Sequence, residues 1–274
     1  MDILYLYKDD GLNGESLRYS LRSIYKYGKN IDRVFICGDC PDWCTNVIHI
    51  SFTPNKDLFK SKNIWAQVLH AINNSDIGNN HNGEFLISMD DHFYCKETDF
   101  NNYPFYVKDY IKRSYRYLLP NFLDYTKMSI NYQQILINTY HLCLNNQLPI
   151  YDFVPHRNMH ANRHCITAMN NLNDHITDPN TVPVEGICIS LNFRMCFWPF
   201  KYQVCHDIKN DNIKTLKQAI NQHHVFSTND FELNSPVHKF LQELYPEKSK
   251  YENETNNISQ TIPEPATPFN YELP

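Results

Sequence analysis

Between Asp2 and Met89 four short apolar runs alternate with two segments of helical periodicity, and that order leaves few folds open. The runs are DILYLY (Asp2–Tyr7), RVFICG (Arg33–Gly38), VIHISF (Val47–Phe52) and FLISM (Phe85–Met89). Between the first two, Leu17, Leu21 and Ile24 recur at helical spacing and Gly28 is a natural stop. Between the last two, Ser61–Asn73 repeats the pattern through Ile64, Val68 and Ile72, with Ala71 beside it. Strands alternating with helices predict an α/β fold, a mainly parallel sheet covered by helices on both faces. The apolar content of 42% is ample for such a core.

The character changes after residue 90. Val107–Leu119 reads as a helix with Tyr115, Leu118 and Leu119 on one side, and Phe122–Asn145 as another with Met128, Ile135 and Leu142. Together they form a helical insertion. Met159–Leu172 reads as a further helix, and Gly186–Phe200 takes no assignment. His224–Asp230 reads as a short strand running into Asn-Asp. Ser235–Tyr245 is a helix with Ser235 as N-cap and Pro236 in its first position. Residues 1–246 make one domain, and the polar, Pro-containing stretch 247–274 is expected to be a disordered tail.

Several classes are disfavoured. A net charge of −5 does not suit a chain whose main task is neutralising a nucleic-acid backbone. No run approaches the roughly 18 apolar residues of a membrane span. The N-terminus lacks the basic and apolar regions of a signal peptide. Nine dispersed cysteines then read as reduced thiols, and the expected location is cytoplasmic. Neither a GxGxxG nor a P-loop is present, so dinucleotide redox and ATPase chemistry lack support.

The most informative stretch is EFLISMDDHFYCK (Glu84–Lys96), where an apolar run stops at two adjacent carboxylates, Asp90 and Asp91. In open α/β sheets ligands bind outside the carboxyl ends of the strands. Adjacent carboxylates repel one another unless a cation compensates them. Mg²⁺ or Mn²⁺ takes oxygen ligands and bridges substrate phosphates, so strand-Asp-Asp fits a metal holding the diphosphate of a nucleotide-sugar. A solvated turn after a strand is the other reading, and both stand on the residues alone.

A first block, Glu15-Ser16-Leu17-Arg18-Tyr19-Ser20-Leu21-Arg22-Ser23-Ile24, is followed by a second that ends in Met89-Asp90-Asp91-His92. In this order the blocks resemble the Stealth family of sugar-phosphate transferases of capsule synthesis. Pro155-His156 matches the family's Pro-His pair, and Asn229-Asp230 its late Asn-Asp. The similarity spans roughly residues 2 to 235 and is dense only before residue 100. The chain departs from the family where Tyr7-Lys8-Asp9-Asp10-Gly11 replaces a Val-Asp-Gly-Ser segment. It also resembles small phage and bacterial glycosyltransferase-like proteins of GT-A/Rossmann-like fold.

The resemblance implies a nucleotide-sugar donor, a hydroxyl acceptor and a bound Mn²⁺ or Mg²⁺. Attack at the β-phosphate transfers sugar-1-phosphate and releases a nucleoside monophosphate. Attack at the anomeric carbon transfers the sugar and releases a diphosphate. Both need a base near the acceptor and positive charge on the leaving phosphates. The resemblance points to His156 as the base, since a neutral imidazole accepts a hydroxyl proton near pH 7. Asp230 either completes the metal site, orients the base or caps the next helix. Arg194 is a candidate phosphate clamp. Lys62 and Asn63 open a helix whose backbone N–H groups favour an anion. Arg18 and Arg22, one turn apart, either reach the phosphates or form a solvated helix face.

Two metal motifs are weaker. His160 and His164 lie four apart on the expected helix, as a metal pair or as surface histidines. Cys37, Cys40 and Cys44 invite a zinc reading, but no second pair at suitable spacing exists, and thiols in a turn explain them. Two other functions remain open: a transferase acting on modified bases of phage DNA, for which the basic-aromatic KRSYRY (Lys112–Tyr117) is the mark, and a non-catalytic nucleotide-sugar-binding module. A glycan acceptor fits the acidic charge better than DNA.

Overall fold

A computed structural model describes residues 1–9, 11–55, 60–79, 82–110, 151–153, 158–173, 202–204, 211–229 and 232–253. The chain opens with β1 (Asp2–Tyr7), α1 (Glu15–Tyr27), β2 (Gly28–Lys29), β3 (Val34–Gly38), β4 (Ile48–Ser51) and α2 (Lys60–Asn74). Then come β5 (Glu84–Met89), β6 (His92–Tyr94), β7 (Thr98–Asp99), β8 (Phe105–Tyr110), β9 (Tyr151–Phe153) and β10 (Met159–Asn162). The remaining described elements are α3 (Arg163–Asn173), β11 (Tyr202–Val204), α4 (Ile213–Gln222), β12 (Val225–Ser227) and α5 (Pro236–Leu244).

The main sheet has the order β10-β5-β1-β3-β4 and is parallel throughout except for β10, which runs antiparallel to β5. Both faces of β1 are buried, and its pleat divides them. Ile3, Tyr5 and Tyr7 pack with Leu17, Leu21 and Ile24 of α1. Leu4 and Leu6 pack with Val68, Ala71 and Ile72 of α2. The two helices therefore cover opposite faces, and the fold is the expected Rossmann-like α/β arrangement with a mainly parallel sheet. From β1 the chain moves to β3 on one side, and β5 is added on the other. The strand order reverses about β1, so the carboxyl ends of β1 and β5 flank the crevice where such sheets bind ligands.

A second layer hangs on this frame. β6 leaves the acidic turn after β5 and pairs antiparallel with β12, in the register Ser227 to His92. Phe93 and Phe226 of this ribbon pack with Leu216 of α4 and with Val237, Phe240 and Leu241 of α5. At α5 the sequence signals are realised: the Ser235 side chain accepts from the His238 N–H, and Pro236 opens the helix. β8 lies between β11 and β9 in a three-stranded sheet.

Three expectations change. The helix expected from Val107 does not begin there, because residues 105–110 are β8; the rest of the helical insertion, 111–150, lies outside the described residues, as does Gly186–Phe200. The helix expected from Met159 begins at Arg163, after β10, and Asn162 caps it by accepting from the Cys165 N–H at 3.1 Å. The disordered tail expected from residue 247 does not start there. Ser249 and Tyr251 are buried, Thr45 N donates to Tyr251 O at 2.9 Å, and Asn253 N donates to Trp43 O at 2.8 Å.

Glu252 fastens that segment. Its carboxylate takes both Nε and Nη2 of Arg22 at 2.8 Å each, and the Ser249 N–H at 2.8 Å. Burial raises the Glu252 pKa, but these donors outweigh it and the net shift is downward. A depressed carboxylate stabilises the fold above its unfolded value of about 4.3 and loses that contribution as pH falls through the folded value. The Asn253 amide, which donates to Trp43 O, is therefore expected to stay protected from hydrogen exchange from neutral pH to about pH 5 and to lose protection below about pH 4, after correction for intrinsic rates. Protection persisting unchanged into strong acid would contradict this role of Glu252.

Candidate active site

The site is assembled at the carboxyl edge of the sheet, around the end of β1. On the β5 side, Asp90 and Asp91 form the turn between β5 and β6. Ser16, in the first turn of α1, donates its hydroxyl to Asp90 Oδ2 at 2.5 Å. Ser227, the last residue of β12, donates to Asp91 Oδ2 at 2.8 Å. Each carboxylate is thus held by one buried serine from a different element. The α1 N-terminus also points toward this edge, where its dipole favours negative charge.

His92 backs the turn and is fully buried. Its Nε2 lies 3.7 Å from Asp91 Oδ1, and its Nδ1 accepts from the Met89 N–H at 3.4 Å. Asn158 Oδ1 lies 3.1 Å from His92 Nδ1 and accepts from the Ser88 hydroxyl at 3.4 Å. Behind them Ser20 donates to the His92 carbonyl at 2.6 Å.

On the β3 side of β1 lies a pocket of about 310 Å³, lined by Tyr7, Asp9, Asn13, Asp39, Cys40 and Pro41. Asp9 shapes it by accepting from Tyr7 Oη at 3.2 Å and from the Gly11 N–H at 3.1 Å, while its own N–H donates to Asp39 Oδ2 at 2.8 Å. Two glycines make this edge possible. At Gly38 (φ +121°) a Cβ would lie 1.9 Å from Tyr7 O. At Gly14 (φ +70°) it would lie 2.6 Å from Pro41 Cγ. Side chains at either position would push β3 or the loop after it away from β1.

The other candidates fall out as follows. Asp90 and Asp91 are brought together with the end of β1. Arg22 is directed elsewhere, its fork on Glu252 and its Nη1 on Tyr245 O at 3.1 Å. Arg18, one turn nearer the edge, pairs with Glu15 at 2.9 Å and lies 4.6 Å over the Trp43 ring. Asn63 exchanges two hydrogen bonds with the Asn55 backbone, at 2.8 and 2.9 Å, and pins the loop before α2. Lys62 is in the first turn of α2. His156, Arg194 and Asp230 lie outside the described residues. The strand before Asp230 does lead to the acidic turn, through Ser227.

His160 and His164 do not share a helix. His160 is on β10, where its Nε2 contacts Tyr103 O at 2.5 Å and its ring stacks on Phe105 at 3.8 Å, while His164 is exposed on α3. A metal pair at helical spacing is thereby excluded. Cys37 is buried and donates to Gln67 O at 3.4 Å, and its thiol is pushed up to about 12 by burial. Among the described residues no group of three or more His, Cys, Asp or Glu is placed to hold a metal ion.

Ser16, Ser227 and Asn158 escaped sequence reasoning as site residues. Ser227 had a usable signal: it ends an apolar run three residues before Asp230, where a strand meets the sheet's carboxyl edge.

Fold and site together define an α/β protein with an acidic pair and a polar pocket on either side of its central strand's carboxyl end. No protein-family model matches the chain, and no characterised protein matches it in sequence. Among solved structures, an active-site mutant of LgtC, a glycosyltransferase, is similar with a TM-score of 0.43 and 10% identity, over 89% of this chain and 95% of that one. No helix among the described residues is long and apolar enough to cross a membrane.

Proposed function

We propose that the chain is a nucleotide-sugar transferase that moves a glycosyl or sugar-1-phosphate group to an acceptor hydroxyl. The observation that carries this reading is the acidic turn of Asp90 and Asp91, buttressed by Ser16 and Ser227 at the carboxyl end of β5. It stands one strand from a pocket at the ends of β1 and β3. The pocket's carboxylates and Tyr7 offer acceptors and an aromatic surface, which suit a base and ribose rather than phosphate. The diphosphate would then extend across β1 toward Asp90 and Asp91.

The residues fit a Mg²⁺ or Mn²⁺ ion. Both are hard oxygen donors on one turn, and Mg²⁺ is commonly held by one or two carboxylates, with phosphates and water supplying the rest. Asp90 and Asp91 would hold it, and when bound it neutralises charge on the leaving phosphates. Ser16 and Ser227 orient the two carboxylates, and His92 Nε2 lies 3.7 Å from Asp91 Oδ1. His156 as base, Asp230 as its partner or a further metal ligand, and Arg194, Arg18 and Lys62 toward phosphate complete the proposal. The acceptor is proposed to be a glycan hydroxyl, and the reaction to take place in the cytoplasm. Sugar-1-phosphate transfer enters through the Stealth resemblance.

The test is a panel of UDP-, GDP-, CMP- and ADP-sugars with Mn²⁺ or Mg²⁺, read by mass spectrometry of the released nucleotide. Metal-dependent release from one donor is expected. A monophosphate released from a diphosphate donor indicates sugar-phosphate transfer, and a diphosphate indicates glycosyl transfer. If no donor is turned over, the binding module becomes the better account. Groups that orient metal ligands typically contribute 10–100-fold. Ser16→Ala and Ser227→Ala are accordingly each expected to weaken Mn²⁺ binding by about 10–100-fold, measured by titration calorimetry on folded protein. Unchanged affinity in both would remove the serines from the site.

A further inference from the structure

The segment fastened by Glu252 also braces the pocket at the ends of β1 and β3. Residues 39–46 follow β3 without a helix or strand of their own, and Asp39, Cys40 and Pro41 at their start form part of the pocket's lining. Farther along, Cys44 meets Glu252 in an isolated antiparallel bridge. On either side of it Thr45 N donates to Tyr251 O at 2.9 Å, and Asn253 N to Trp43 O at 2.8 Å. Asn46 Nδ2 adds a bond to Lys250 O at 2.6 Å, and Asn253 Nδ2 one to Asp42 O at 3.0 Å. The pocket loop thus gains an extended partner from far along the chain.

We propose that residues 249–253 are a strap that sets the shape of the pocket, with Glu252 and Trp43 as positioning residues for a nucleotide diphosphate. The identity of that ligand rests on the transferase reading, whereas the strap itself rests on contacts. Glu252 is the pin. Its carboxylate holds the Arg22 fork on α1 and the Ser249 N–H, so the strap is fixed to a helix of the main fold. Trp43 passes the constraint on. Its Nε1 donates to Asn13 O at 2.7 Å, and Asn13 lines the pocket as well. The parts of the lining that come from the loops after β1 and after β3 are thereby tied together across the indole.

The same strap reaches the side proposed for the phosphates. Arg18 lies 4.6 Å over the Trp43 ring, and its Nε is 3.9 Å from Glu252 Oε2. Tyr251 is buried in one apolar cluster with Cys40, Trp43, Cys44 and Val47 packed against it, so the strap is seated by packing as well as by hydrogen bonds. A loop with no regular structure of its own opens at low cost unless such contacts tie it down. Coupling between two sites is mutual. A ligand that binds the closed wall better than the open one therefore tightens the strap by the factor by which the strap tightens the ligand.

The test uses the full chain. Glu252→Gln keeps the size of the pin and removes its charge, and Trp43→Phe keeps a ring under Arg18 and removes the donor to Asn13. Both are first shown to be folded by thermal melting, and Trp43→Phe carries the test if Glu252→Gln does not fold. Without any ligand, Cys40 in the pocket lining is expected to alkylate about tenfold faster, relative to Cys95, in either variant than in the parent. With Mn²⁺ and UDP, GDP, CDP or ADP, the diphosphate that the parent binds is expected to bind each variant about tenfold more weakly, within the roughly 5–150-fold typical of coupled sites. In the parent that diphosphate should also slow hydrogen exchange at the Thr45 and Asn253 amides, an effect that a merely structural strap does not show. Parental Cys40 rates in the folded variants would overturn the strap, as would unchanged diphosphate affinity or unchanged exchange. If the parent binds none of the four diphosphates, the transferase reading fails instead, and the Cys40 rates still decide the strap.

Discussion

Asp91→Ala is expected to lower metal-dependent donor turnover by about 10³-fold, the scale seen when one preorganised charge-stabilising group is removed. The side chain is held at Oδ2 by Ser227, lies 3.7 Å from His92 Nε2, and is only 20% exposed. Its loss leaves one carboxylate where the proposal needs two. It also removes the carboxylate that accepts from the Ser227 hydroxyl. Asp91→Asn separates these effects, because it keeps an acceptor for Ser227 while removing the charge. The asparagine variant should fold as the parent does, shown by thermal melting, and still lose most of its turnover. Alanine and asparagine variants with parental kcat and KM would take Asp91 out of the reaction.

The second large effect is on stability. Asp2 is completely buried at the start of β1, with Arg33 Nε on one oxygen at 3.1 Å and Nη2 on the other at 2.7 Å. The Gly78 N–H adds a third bond at 3.0 Å. Removing one partner of a buried ion pair typically costs 3–5 kcal/mol, because the other is left uncompensated. Arg33 retains Asp76 at 2.7 Å and is partly exposed, which moderates the cost. Asp2→Ala is therefore expected to destabilise the domain by about 3 kcal/mol in urea unfolding, near the low end of that range. A change under about 0.5 kcal/mol would show the pair to be worth no more than a surface salt bridge.

The parallel frame was legible because β1, β3 and β5 are buried on both faces and read as unbroken apolar runs. DILYLY, VFICG and FLISM have no other comfortable fate, and the Leu17, Leu21, Ile24 spacing names the helix that covers one face. The acidic turn was legible for the same reason, since Asp90 and Asp91 interrupt a run that otherwise belongs in a core. What surrounds the turn was not legible. β6 is three residues long, too short to show a period, and its partner Phe226 is far along the chain. Ser16 and Ser227 gain meaning only when two distant elements meet at one turn. At Met159 a helical pattern absorbed residues that pair with β5, although Asn162 was a cap in plain view. At β8 cross-strand pairing prevailed over local preference. Residues 249–253 looked like tail because their anchors, Arg22 and Trp43, are remote in sequence.

The central claim is that the acidic turn binds a divalent cation together with a nucleotide diphosphate. Mn²⁺ binding, followed by electron paramagnetic resonance with and without UDP, GDP, CDP or ADP, tests it most directly. The account predicts binding that one of these diphosphates strengthens in the parent protein, and that Asp91→Ala and Asp90→Ala both abolish. Mn²⁺ binding that no diphosphate changes and that survives both substitutions would contradict it.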